Sequence, residues 1–302
     1  MIPVLHVTGK NLPDAYERSV LELYRSGERI KTEYDNQKDP PSIDATMNIT
    51  IEEPTSDPMI YKLFPGGIED LREYLMELQG VKDHWCKNMN DPNDTRWEYT
   101  YHQRLTDWGT HYFKAANGSR HKKRFDNFYD NQAVGINQLE IMVNKLAKAP
   151  YTRRAQAVTW MPFMDNEVYD PPCLQSIWCR ITDEGDFLAL NTNIRFRSND
   201  AWGAAFMNMF GITMMIQSEI LDPLQKEVHK PLRMGRLNWH ADSYHIYGKD
   251  RATFVEHVIK SDRDFEDSVF NFHDKIIQDI WNETEEKVRK KIETYDKENQ
   301  GV

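Results

Sequence analysis

In the stretch YDPPCLQSIWCRI, residues 169–181, Cys173 stands directly behind Pro171 and Pro172. Two prolines fix their own φ and push the preceding residue into an extended conformation, so the thiol is delivered from a stiff turn. A thiol held in one place can act as a nucleophile once ionised. The competing reading is a small buried hydrophobe. Downstream, LALNTNIRFRSND (188–200) alternates as a strand does, with Ala189, Asn191, Asn193, Arg195 and Arg197 on one face and Leu188, Leu190, Thr192, Ile194 and Phe196 on the other. The strand ends at the mouth of an apolar helix whose first amides favour an anion. YTRRA adds Arg153 and Arg154 at another strand start. Arginines match phosphate oxygens in shape and charge and lower the pKa of a nearby thiol, so one anion site can serve both binding and thiolate formation. Arginine on a strand is otherwise a solvated surface residue.

Asn208 lies inside AAFMNMFGITMM, where a lone amide is costly unless its donor and its acceptor both find partners. Those partners are either backbone groups or a ligand that offers an acceptor and a donor side by side, as a uracil ring does at O4 and N3–H. His245 and Tyr247, two apart in SYHIY, share one face of a strand and suit a sugar hydroxyl.

DPPC, YTRRAQAVTW, RSND followed eight residues later by Asn208, and SYHIY occur in the order and at the spacings of the thymidylate synthase family, and the chain resembles that family's divergent, archaeal-type branch. The resemblance implies an α+β fold, a mixed β-sheet flanked by helices, in a homodimer packed sheet to sheet. It implies that Cys173 adds to C6 of the pyrimidine of dUMP. Arg197 and Ser198, with Arg153 and Arg154 donated across the dimer, would hold the 5′-phosphate. Asn208 would read the uracil edge, His245 and Tyr247 the 3′-hydroxyl, and Asp200 the pterin. EYLMELQG resembles the helix of the catalytic glutamate, which maps to Glu73, and Tyr101 in YTYHQR matches the active-site tyrosine. The implied cofactor is 5,10-methylenetetrahydrofolate or a related reduced pterin, and no metal is implied.

The chain departs from the family's pattern at Leu174 and Phe196, where a histidine and a glutamine are usual. TEYDNQKDPPS replaces a glycine-rich phosphate loop, with Arg29, Lys31 and Lys38 as substitutes, and the sequence closes on YDKENQGV rather than an apolar tail. Thiolate addition at C6 makes C5 enolate-like, donors at O4 stabilise the developing charge, and a carboxylate such as Glu73 moves protons through water. With water excluded, hydride transfer gives dTMP. With water admitted, a 5-hydroxymethyl nucleotide forms from dUMP or dCMP. Two readings lie outside this chemistry: a cysteine hydrolase drawing on one of the ten histidines, and a catalytically silent nucleotide-binding homologue.

The elements that must position these residues are legible as patterns. Asn11–Gly27 reads as an amphipathic helix, ATMNITIEE as a strand, and IEDLREYLMELQG as a helix ending near Gly80. Residues 83–130 read as a long irregular excursion, and GINQLEIMVNKLAKAP as a helix stopped by Pro150. Three strands follow, YTRRAQAVTWMP, QSIWCRI and LALNTNIRFRS. In the second, Leu174, Ser176, Trp178 and Arg180 oppose Gln175, Ile177, Cys179 and Ile181. AWGAAFMNMFGITMMIQSEIL reads as a buried helix, RLNWHADSYHIYG as a strand, and about 263–298 as a peripheral C-terminal helical extension of a single domain spanning 1–302. The chain is long enough for a substantial core. With 48 acidic and 38 basic residues its net charge is −10, which argues against nucleic acid and anionic membrane as partners. No leader pattern or spanning run is present, and three cysteines without CxxC spacing support neither a disulfide framework nor zinc, so a cytoplasmic location with reduced thiols is expected.

Overall fold

The computed structural model describes residues 1–87, 94, 96–109, 135–166 and 168–299. Of the excursion expected over 83–130, residues 88–93, 95 and 110–130 lie outside the described residues, as do the last three residues of the tail. Strands β1 (Val4–Gly9), β2 (Glu28–Ile30), β3 (Ser42–Ile51), β5 (Gln156–Val158), β6 (Leu174–Asp183), β7 (Leu188–Asp200) and β8 (Leu232–Ile246) form a seven-stranded sheet. Its order is β1-β3-β8-β7-β6-β5, with β2 paired to the first residues of β3. The β1/β3 and β7/β8 pairs are parallel and the others antiparallel, so the sheet is mixed as expected. β4 (Ile60–Tyr61) and β9 (Val269–Phe270) make a separate two-stranded ladder.

Helix α1 (Leu12–Ser26) begins where Asn11 Oδ1 accepts from the Asp14 N–H at 3.2 Å, satisfying one of the orphan amides of a helix start. α2 (Ile68–Leu78), α3 (Tyr101–Thr106) and α4 (Gln138–Lys148) follow, then α5 (Ala205–Ile216), in which even the polar Asn208 and Thr213 are buried. α1 and α5 cover one face of the sheet, with the rings of Tyr16 and Phe206 5.2 Å apart. Beneath them Phe196 of β7 stacks on Trp239 of β8 at 4.7 Å. Both side chains are fully buried, and each such burial is worth roughly 1.5–3 kcal/mol. The opposite face is polar: Arg195 pairs with Asp242 at 3.0 Å, and His240 sits between Asn48 and Asp242 at 2.8 and 3.0 Å.

The C-terminal helix α6 (Lys275–Asn299) runs along α2. Its Ile277, Trp281, Val288 and Ile292 are buried, and Lys287 and Lys291 reach Glu69 and Glu73 of α2, each at 2.9 Å. Among the described residues no helix is long and apolar enough to cross a membrane.

Several elements differ from the sequence reading: β2, β4 and β9 were not expected, and the strand read over YTRRAQAVTWMP is confined to Gln156–Val158, which leaves Arg153 and Arg154 ahead of it. β1, at the start of the chain, carried no strand expectation. α3 lies inside the stretch read as irregular; Thr100 caps it, accepting from the Gln103 N–H at 3.0 Å. The pairing of β6 with β7 slips between Leu174 and Ser176, a β-bulge that reverses the alternation. Leu174 therefore lies buried with Ile177, Cys179 and Ile181 rather than beside Ser176, Trp178 and Arg180.

Candidate active site

The bulge adjoins Cys173, and the two features belong together: an extra residue bends the strand start and re-aims what precedes it. Cys173 is half-buried at the end of the Pro171–Pro172 turn. Its carbonyl accepts from the Arg197 N–H at 2.9 Å, while the Arg197 guanidinium donates to the carbonyls of Pro172 (Nε, 3.1 Å) and Pro171 (Nη2, 2.6 Å). Gln175 Nε2 also donates to Pro172 O, at 2.7 Å. The turn is thus held from two neighbouring strands. Burial pushes the Cys173 thiol above its ordinary pKa, against the pull of the Arg197 guanidinium, and Asp170 adds to the rise. In the ligand-free chain burial therefore outweighs the arginine effect anticipated from sequence.

Tyr101 enters from α3. Its hydroxyl accepts from the Leu174 N–H at 3.2 Å, and its ring meets Phe196 edge-on at 6.4 Å. The Arg104 guanidinium, buried one turn further along α3, pairs with Asp165 at 2.8 and 3.1 Å. Asp165 also accepts from the Met161 N–H at 2.5 Å. A buried, fully hydrogen-bonded pair of this kind fixes where α3 sits and hence where Tyr101 points.

Asn208 meets a residue the sequence reading did not single out. The Tyr74 hydroxyl of α2 donates to Asn208 Oδ1 at 2.5 Å. The available signal was Gly211, one turn after Asn208 in a helix interior where glycine is unfavourable. A Cβ at Gly211 would stand 2.7 Å from Tyr74 Cδ1, so the glycine makes room for the ring.

His245 and Tyr247 come together at the end of β8, their rings 4.6 Å apart. His245 Nδ1 lies 3.2 Å from Ser243 Oγ, which donates to Asp44 Oδ2 at 2.8 Å, while Nε2 is buried with no hydrogen-bond partner among the described residues. Burial drives the imidazole pKa down against the charge of Asp44, keeping the ring neutral. Tyr34, from the loop that replaces the glycine-rich one, faces Tyr247 edge-on at 6.1 Å. Lys31, just before that loop, donates to the carbonyls of Asn36 and Asp39 at 3.0 and 2.6 Å, Arg29 of β2 donates to those of Gly27 and Tyr24 at 2.6 and 2.9 Å, and Lys38 within the loop is exposed. Asp200, beside His245 across the β7/β8 pair, takes the Trp202 and Gly203 N–H groups on Oδ1 at 3.1 and 2.9 Å. Burial raises its pKa. Ser198 lies one alternation earlier, opposite Ser243.

Cys173, Arg197 and Tyr101 are joined through the 171–174 backbone, Tyr74 ties Asn208 to α2, and Tyr247 lies near enough to feel the charges of Asp200 and Cys173. Glu73 is not gathered with them: Lys291 donates to both its oxygens at 2.9 Å and Lys82 to Oε1 at 2.9 Å. Burial pushes its pKa up, but the two lysines outweigh this and hold the carboxyl below its ordinary range. Glu77, one turn on, shares Lys82 at 3.3 Å, and burial holds its pKa above the ordinary range. Arg153 and Arg154 are exposed just ahead of β5.

A mixed sheet covered by helices on one face, with a cysteine locked to an arginine of the next strand, defines an α+β protein that holds a thiol beside a guanidinium. The thymidylate synthase family model matches residues 69–300, and the chain belongs to that family. Proteins named "Putative thymidylate synthase" are similar over most of their length. That of Methanosarcina mazei is 28% identical over 256 residues, covering 84% of this chain and 94% of the relative. That of Methanosarcina barkeri is 28% identical over 257 residues, with 84% and 94% covered. That of Methanocaldococcus jannaschii is 25% identical over 252 residues, with 81% and 91% covered.

Proposed function

We propose that the chain transfers a one-carbon unit to C5 of dUMP, giving dTMP, through a covalent adduct between Cys173 Sγ and C6 of the base. The observation that carries this reading is the lock between Cys173 and Arg197, which ties the nucleophile to a cation suited to the 5′-phosphate. Burial favours the protonated thiol at Cys173 and Arg197 favours the thiolate that attacks C6. Tyr101, whose hydroxyl already caps the Leu174 amide, stands where it can pass a proton at the adduct. Asn208 reads O4 and N3–H, and Ser198 assists at the phosphate. His245 Nε2, buried and without a partner among the described residues, and the Tyr247 hydroxyl receive the 3′-hydroxyl.

The methylene-carrying reduced folate supplies the one-carbon unit. Asp200, half-buried and taking both turn amides on Oδ1, fits the donor-rich edge of a pterin. Glu73 of α2, held by Lys82 and Lys291 outside the cluster around Cys173, suits a base that reaches the site through water. Exposed Arg153 and Arg154 complete the phosphate site of a second copy, and the polar outer face of the sheet carries that dimer contact.

Incubation with labelled methylenetetrahydrofolate and each of dUMP, dCMP and CMP tests the reading. A methylated dUMP product is expected. A product heavier by one oxygen identifies a hydroxymethylase, and no product with any of the three overturns the assignment.

A further inference from the structure

Asn208 can present its amide to a base in two orientations. With Nδ2 outward at position 4 it favours an acceptor, the 4-oxo group of uracil; turned over, it favours the 4-amino group of cytosine. Burial alone does not choose between them, but Tyr74 does. Its hydroxyl donates to Oδ1 at 2.5 Å from the neighbouring helix α2, leaving Nδ2 directed away from the phenol and a second lone pair free on Oδ1. The phenol is placed there by packing. A Cβ on Gly211 would stand 2.7 and 2.9 Å from its Cδ1 and Cε1, so the ring packs directly against α5 at Gly211, one turn beyond Asn208. Burial raises the phenol pKa further, which keeps its proton available for donation.

We propose that Tyr74 is the positioning residue for base specificity: by holding the Asn208 amide with Nδ2 outward it commits the site to a 4-oxo pyrimidine. The inference rests on the functional reading above and adds to it the residue that makes an ambiguous amide selective. The neutral phenol has one proton to give, and Oδ1 is where it goes. Turning the amide over would bring two N–H groups against the phenol and leave that proton without its acceptor.

Tyr74→Phe removes one oxygen from a buried ring, and Gly211→Ala keeps the hydroxyl but displaces the ring. Calorimetric binding of dUMP and dCMP, with kcat/KM for each, is measured for the wild-type protein and both variants. The expected result is a dUMP preference that narrows about tenfold in each variant, the scale of one lost hydrogen bond. Calorimetric Tm serves as the check on folding. In an Asn208→Asp background, Tyr74→Phe adds no comparable shift, because a carboxylate has no amide orientation to set. A dUMP-to-dCMP ratio unchanged in both variants overturns the assignment while leaving the functional reading intact. A wild-type protein that binds neither nucleotide overturns both.

Discussion

Arg197 fastens both Cys173 and the two prolines that precede it. The Arg197 N–H donates to the Cys173 carbonyl at 2.9 Å, and the same residue's guanidinium holds the carbonyls of Pro172 and Pro171 at 3.1 and 2.6 Å. The thiol and its cation therefore cannot drift apart without unmaking the turn that presents the thiol. Because the guanidinium favours the thiolate while burial opposes it, Arg197→Ala raises the Cys173 pKa further. The pH profile of Cys173 alkylation should move to higher pH in the variant, with less modification at any neutral pH. A profile that stays in place would show that the arginine does not act on the thiol.

Cys173→Ser should abolish turnover while retaining nucleotide binding, since a hydroxyl is a far weaker nucleophile than a partly ionised thiol. Cys86 and Cys179 are buried, and burial pushes both thiols up to about 12, so serine at either position should leave turnover in place. Mass spectrometry of the protein–nucleotide adduct reads the difference directly: the adduct should disappear only with Cys173.

Asp165→Ala leaves the Arg104 guanidinium buried without its carboxylate, a loss of about 3–5 kcal/mol when one partner of such a pair is removed. Urea unfolding should show that loss. Turnover of the folded fraction should fall as well, because Arg104 anchors the helix that carries Tyr101. Replacing both partners with apolar residues should recover much of the stability and little of the activity.

Glu73 links acidity to stability. Its folded pKa lies below the ordinary glutamate value, so its contribution is complete above roughly pH 4.3, the unfolded value. That contribution is lost as pH falls through the folded pKa. Below that window Glu73→Gln and wild type should converge in stability, and above it the wild type should be the more stable. Lys291→Ala should narrow the difference, since it removes one of the two cations responsible.

Mixing Arg154→Ala with Cys173→Ser should restore some of the activity that each variant lacks, because a hybrid dimer with shared arginines contains one intact site. An additive, unrestored mixture would place Arg154 in its own subunit's site or in none.

The sequence by itself determined what local chemistry can determine. The apolar stripe from Leu12 to Leu23 gives a helix because periodicity selects the buried face, and Asn11 caps it because its side chain competes for the first amides. The alternation of β7 holds from Leu190 to Phe196, since one face must be buried and a strand has only two, and the mixed sheet with covering helices follows. α3 was written in Thr100-x-x-Gln103, a capping pattern obscured by the polar stretch around it. What the sequence could not supply was any relation whose energy comes from distant partners. The bulge that turns Leu174 inward depends on how β6 and β7 register, a pairing no residue of β6 encodes alone. The lysines that hold Glu73 and the phenol that orients Asn208 arrive from positions 218 and 134 residues away in sequence, in the case of Lys291 and Tyr74. Those contacts form only once α2 is packed between α5 and α6. Amino-acid types chose the chemistry that is available at each position, and tertiary packing chose which of those groups meet.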